Sequence, residues 1–210
     1  MVSLKRLEAI GRLRLSPSFF LRDFLHSEIA QVEGLVNVPD NLDLALAAGR
    51  GLCEHVLEPL QDALGRISIR SGYRSSEVNR VGNTKRYNCS NNVYSRTRHI
   101  WDEADDSGAY GATACVVVNS FVDYYDATGD WPALAWWIHD HIPAYRDMTF
   151  YRQLAAFNIN WYSGAVVEQK IAAQVANPAT GKRGILARTG DLGFDASHRE
   201  FYRHWRGTQE

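Results

Sequence analysis

Ser71, Tyr73, Arg74 and Asn79 fall within one short stretch, Ile67-Ser68-Ile69-Arg70-Ser71-Gly72-Tyr73-Arg74-Ser75-Ser76-Glu77-Val78-Asn79, and their types suit the capture of an anionic ligand. An arginine carries a fixed charge and a planar fork of donors, which fits a carboxylate such as a peptide C-terminus. Ser71 and Tyr73 set hydroxyls beside Arg74, so these three residues make a candidate substrate cradle. Downstream, His99-Ile100-Trp101-Asp102 has two readings. It is either an imidazole oriented by a carboxylate, as in an acid/base or ligand pair, or a loop anchored by Trp101 with a surface histidine. His139 and His141 flank Asp140. At i and i+2 on a helix they face different sides, so only one of them reaches a given metal, and His141 also suits a helix C-terminus. Arg80, Lys85, Arg86, Arg96 and Arg98 lie among Asn and Ser with Tyr87 and Tyr94 between them, which reads as a solvated connector or as a patch for an anionic polymer.

These residues need elements to hold them. From Asp40 to Leu64, apolar residues recur at helical spacing, with Asp40 as the expected N-cap, Gly65 as the stop and a kink near Glu58 imposed by Pro59. Ile67 to Arg70 alternates as a half-buried strand, and Gly72 permits a tight bend that aims Arg74 into a concave site, where it either takes an anion or forms a structural ion pair with a nearby Asp or Glu. Residues 80–110 are polar and lack a sustained period, so they read as a long loop excursion. Gly111 to Val118 is a buried strand candidate, and Trp131 to Ile142 is a helix begun by Asp130-Trp131-Pro132. Three β-like stretches follow, around 148–151, 156–161 and 166–175, and a short aromatic helix closes the chain near Phe201 to Trp205.

The Ser-Gly-Tyr-Arg run, together with Ser18-Phe19-Phe20-Leu21-Arg22-Asp23-Phe24 and Val56-Leu57-Glu58-Pro59-Leu60, resembles zinc D-Ala-D-Ala carboxypeptidases, relatives of the hedgehog and lysostaphin-type peptidases. Residues 18–79 carry most of the resemblance. It implies an α+β fold, a small antiparallel sheet packed with helices, in one domain spanning 1–210, with Arg74 binding substrate. It also implies zinc, held by a His and an Asp in a Ser-x-His-x-x-Gly-x-Ala-x-Asp pattern and by a distant second His, with a Glu as base. Two registers place that pattern here. One pairs His99 with Asp106, keeping Ala104 in place and putting Asp102 where the family has Gly. The other lays the pattern on Ser107 to Cys115, which puts Gly108 at the His and Cys115 at the Asp. The second is adopted, because the apolar run through Val116-Val117-Val118 constrains the strand more than one His-to-Asp spacing does. Downstream, Trp161-Tyr162 stands where the family has Trp-His, and Ile159 near the place of the base. The resemblance thus implies a domain with an incomplete zinc site, binding a peptidoglycan stem peptide or a protein assembly partner. Its alternative is an active zinc D,D-peptidase using His99 and Asp106.

The net charge of −1 gives no overall pull toward nucleic acid or an anionic membrane. Cys53, Cys89 and Cys115 lack paired spacing and read as free thiols, with Cys53 and Cys115 buried. No stretch reaches the roughly 20 apolar residues of a membrane span, and none has the form of a signal peptide, so a cytoplasmic or phage-particle location is expected, in a bacterial or phage source.

Overall fold

The computed structural model describes residues 3–206. Its helices are α1 (Leu4–Gly11), α2 (Glu28–Glu33), α3 (Leu42–Leu52), α4 (Glu58–Leu64), α5 (Ser76–Thr84), α6 (Asn92–Ser95), α7 (Val122–Thr128), α8 (Trp131–His141) and α9 (Arg199–Arg206). Six strands, β1 (Ile67–Ser71), β2 (Gly111–Val118), β3 (Asp147–Phe150), β4 (Phe157–Tyr162), β5 (Lys170–Ala173) and β6 (Gly184–Arg188), form one sheet in the order β1-β2-β4-β3-β5-β6. The fold is α+β, as expected, but the sheet is mixed: β3 and β5 run parallel, while every other neighbouring pair is antiparallel. The strands after Pro143 belong to this one sheet. β4 pairs directly with β2 and so joins them to the first half of the chain.

The sheet is two-faced. Val116 and Ala114 lie opposite Phe157 and Ile159, and with Met148, Phe150 and Ile171 they enter a single apolar core. Helix α3 packs on this face of β2 and β4, and Trp131 of α8 meets the ring of Phe150 at 5.2 Å. Period-two alternation puts Thr113, Cys115, Asn158, Asp147 and Thr149 on the other face.

The expected single helix over 40–64 is two helices joined by a π-helical turn, Cys53–Leu57. The Glu58 amide there donates to Cys53 O, one residue farther back than in an α-helix. Pro59 has no amide hydrogen to give the preceding turn, and the wider turn absorbs that loss at the place where the kink was expected. Asn41, not Asp40, caps α3, accepting from the Leu44 amide at 3.2 Å. Gly65 ends α4 with φ +80°, a conformation that favours glycine.

Residues 80–110 carry α6 and the end of α5, and they are tied down by Trp101. That side chain is fully buried against Phe24 and Tyr73, and its Nε1 donates to Thr113 O at 3.3 Å. A polar excursion therefore holds fixed positions at the sheet. No helix among the described residues is long and apolar enough to cross a membrane.

Candidate functional site

A cleft of about 650 Å³ lies over the polar face of the sheet. Its floor includes Ser71, Thr113, Cys115, Asn158 and Thr149, and its walls come from α2, the α5–α6 connection and α6. An irregularity in β1 aims the cradle. Ile67 and Ile69 pair with Val118 and Val116 toward the core, and strict alternation would send Ser71 the same way. The register instead slips between Ile69 and Ser71, so Arg70 is the extra residue of a β-bulge and Ser71 lands opposite Cys115. Bulges of this kind re-aim side chains. Arg70 and Ser71, neighbours in sequence, both line the cleft as a result.

Arg74 joins them from the turn that follows. Its backbone amide donates to His99 O at 2.8 Å, and its Nη1 donates to Asn79 Oδ1 at 3.2 Å and Cys89 Sγ at 2.8 Å. These are neutral partners, so Arg74 is not spent on an internal ion pair. Arg70 is exposed and has no acidic partner among the described residues. Arg98 is different: Asp147 accepts from its Nη1 at 2.5 Å, and its guanidinium lies 4.6 Å from the centre of the Tyr94 ring. The other acid on the lining, Glu28, is exposed at the rim, 3.8 Å from His26. Arg70 and Arg74 thus leave the cleft with a positive excess.

Apart from the Arg98–Asp147 pair, the floor is uncharged. His99 is buried, Gly72 O is 2.8 Å from its Nδ1, and the Asn158 amide nitrogen is 3.3 Å from its Nε2. A carbonyl accepts only, so Nδ1 bears the proton and Nε2 accepts from Asn158. Burial, with Arg74 adding to it, drives the imidazole down to about 3, so it is neutral at ordinary pH. Burial pushes the Cys115 thiol up to about 11, against the opposing pull of Arg70 and Arg74. Burial likewise raises Tyr151 to about 12, and its hydroxyl accepts from Asn158 at 2.9 Å. A protonated thiol is a poor nucleophile. The arrangement is suited to holding an anion between fixed cations over a neutral polar floor.

Several expected site residues lie elsewhere. Tyr73 does not face the cleft: it is fully buried, and its hydroxyl donates to Asp102 Oδ2 at 3.0 Å. Its apolar ring follows Gly72 into the core, while Ser71 and Arg74 line the cleft. Asp102 also accepts from the Asp40 amide, so the His99–Asp102 pair is not made, and His99 is buried where a surface histidine was the alternative. Asp106 is exposed and paired with Arg96 at 3.2 Å, away from the cleft. Cys115 lies in β2, as the adopted register expects, but half-buried where a buried thiol was expected. Gly108 sits in a turn closed onto Asp105 O, and His99 reaches the cleft in its stead, with residues 100–110 interposed before β2. Tyr162 is at the far end of β4, donating to Asp105 Oδ2, and Asn158 is the residue of that strand beside Cys115.

The two residues the resemblance assigns to zinc in an active enzyme, His99 and Asp106, are not brought together: His99 lines the cleft and Asp106 is on Arg96 outside it. Among the described residues, three histidine, cysteine or acidic ligand atoms come together only at His139, Asp140 and His198. There His139 is bonded to Tyr145 Oη at 2.7 Å and Phe194 O at 2.8 Å, and His198 to Asp140 at 2.7 Å and Gly193 O at 3.1 Å. Every ring nitrogen is engaged in fastening the C-terminal segment to α8, and Trp136 stacks on His198 at 3.8 Å. His141 donates to Trp137 O at 2.8 Å, as a helix-end histidine should. In the cleft, His99 and Cys115 lack a third ligand of the kind zinc requires. Purified protein should therefore carry far less than stoichiometric zinc by elemental analysis, and excess zinc should leave its melting temperature unchanged. Stoichiometric zinc released by His99→Ala would overturn this assignment.

Sequence reasoning passed over Arg70, Asn158, Tyr151, Cys89 and the Arg98–Asp147 pair as parts of one site. A positive residue next to a serine at the end of an alternating strand was the available signal for Arg70. Compared with protein-family models, with curated proteins and with solved structures, the chain matches none, and its functional reading rests on the chemistry of this cleft.

Proposed function

We propose that this chain is a ligand-capture domain with a D-Ala-D-Ala peptidase-like cradle and an incomplete metal site, which holds a cell-wall ligand by its free carboxylate and does not hydrolyse it. The ligand expected from the resemblance is a peptidoglycan stem peptide. One observation carries the reading: Arg70 and Arg74 line an open cleft and neither is paired with a carboxylate among the described residues, above a floor whose His99, Cys115 and Asn158 are neutral. A ligand carboxylate would supply the missing negative charge through charge-assisted hydrogen bonds. The active zinc peptidase is the weaker alternative, because Asp106 is bound to Arg96 and, among the described residues, no group of three ligand atoms includes His99 or Cys115.

The test is calorimetric titration with an acetylated peptide ending in D-Ala-D-Ala, as the free acid and as the C-terminal amide. The free acid should bind about tenfold or more tightly than the amide, since a hydrogen bond to a charged group contributes about 1.5–3 kcal/mol. Arg74→Ala should erase that preference while moving the melting temperature little. Equal affinity of acid and amide, or release of free D-Ala, would refute capture without hydrolysis.

A further inference from the structure

We propose that Asn79 is the positioning residue of the carboxylate site. It engages one nitrogen of the Arg74 guanidinium, so that the Nε–Nη2 edge is left for a ligand carboxylate, docked side-on through two parallel hydrogen bonds. The inference rests on the reading that Arg74 takes the anion, and it names how the anion is held. A guanidinium has five N–H groups, one on Nε and two on each terminal nitrogen. Two acceptors take up Nη1, Asn79 Oδ1 at 3.2 Å and Cys89 Sγ at 2.8 Å. Nη1 is on the Cδ side of the group, so the opposite edge, Nε with Nη2, remains. Neither of those nitrogens has a hydrogen-bond or ion-pair partner among the described residues. Neither is closed off from solvent, and Arg74 lines the cleft. The N–H bonds of that edge are parallel and match the spacing of two carboxylate oxygens, a fit that a lysine cannot offer.

Asn79 sets this orientation because its own is fixed. Its side chain is fully buried near the start of α5, and its Nδ2 donates to Ser90 O at 3.0 Å and Asn92 Oδ1 at 2.9 Å. Ser90 O accepts only, so the amide nitrogen must face it and Oδ1 must face Arg74. Asn92 is tied in turn to Ser76 O at 2.9 Å, so one network holds both the guanidinium and the α5–α6 connection that walls the cleft. Buried networks whose members are paired are rigid, and a donor pair held ready for its ligand binds with less ordering cost.

The experiment titrates the full chain and its Asn79→Leu variant by calorimetry with the acetylated D-Ala-D-Ala peptide, as free acid and as amide. The variant keeps the Arg74 charge and a similar bulk, and loses the acceptor that orients the guanidinium. Its affinity for the free acid should fall about fivefold, as for one hydrogen bond of the pair, while its affinity for the amide should change less than about twofold. Equal losses for acid and amide, or none, would mark Asn79 as structural and overturn the proposal. A second measurement needs no variant: in the parent chain, the Nε–H proton resonance of Arg74 should move downfield when the free acid saturates the site and stay in place with the amide. An unmoved resonance with acid bound would overturn the side-on docking and leave carboxylate capture standing. If the parent chain binds acid and amide equally, the capture reading itself fails, and the role of Asn79 with it.

Discussion

Between about pH 6.5 and pH 4.5 the protein should lose roughly 2–3 kcal/mol of unfolding free energy, and His99 should account for most of it. Its imidazole falls from 6.5 to about 3 on folding, chiefly through burial. A histidine that is harder to protonate in the folded state contributes stability that is fully present above its unfolded value. That stability is lost as pH falls, because the unfolded chain takes up the proton first, at about 1.4 kcal/mol per pH unit. His139, lowered in the same direction by burial, supplies a smaller slope of the same sign. Asp105, lowered to about 2, acts only below the carboxylate range, while Asp102, raised chiefly by burial, contributes a slope of the opposite sign. Urea unfolding at intervals across the window should show His99→Gln with a much flatter profile than the parent, whatever the variant's absolute stability. Parallel profiles for the two proteins would refute the assignment. Against a total stability of about 5–15 kcal/mol, the effect is large enough to unfold a marginal domain in mild acid.

Gly111→Ala should destabilise the protein by about 3 kcal/mol or more. A Cβ there would lie 2.5 Å from Trp161 O and 2.6 Å from Thr97 O, so backbone meets it on both sides. Neither carbonyl can turn aside, because Trp161 belongs to β4 and Thr97 O accepts from Asn160 at 2.9 Å. Gly51 is a contrasting case: its Cβ would meet the Trp161 ring at 2.3 Å, and a side chain has some freedom to yield. Displacing Thr97 also moves Arg98 and His99, which follow it directly, so anion binding should weaken along with the urea midpoint. A loss below about 1 kcal/mol would mean that the crossing of Thr97 over β2 is loose.

How far the chain could be read depended on whether a residue's role was local. GATACVVV declared a buried strand through its β-branched run, and it is β2. Trp131–His141 declared its start through Pro132, and the aromatic tail became α9. Arg74 and Ser71 were legible because a strand and a glycine turn fix them within a few residues. Tyr73 was not, since the next residue along an extended chain points to the opposite face, and core burial outweighed its hydroxyl. His99 was assigned to a metal register or a surface loop because its depth depends on Trp101 anchoring the excursion, a contact with Phe24 and Tyr73 across long sequence separation. Asn158 became part of the site only through the pairing of β4 with β2, which no local period announces. Strand β6 was missed because its residues are mostly exposed and it opens on a glycine.

The pairing of β1 with β2 bears on how the molecule comes into being. Closing that ladder encloses residues 72–110, and the entropy of such a closure must be met before its contacts stabilise anything. The bulge at Arg70 exists only as a mismatch between two docked strands, so the cationic end of the cleft has no precursor in the isolated β1 segment. The cationic end of the cleft therefore forms no earlier than the docking of β1 on β2, and a ligand that needs both arginines in place binds the native chain and not the unfolded one, adding its binding free energy to the stability of the fold.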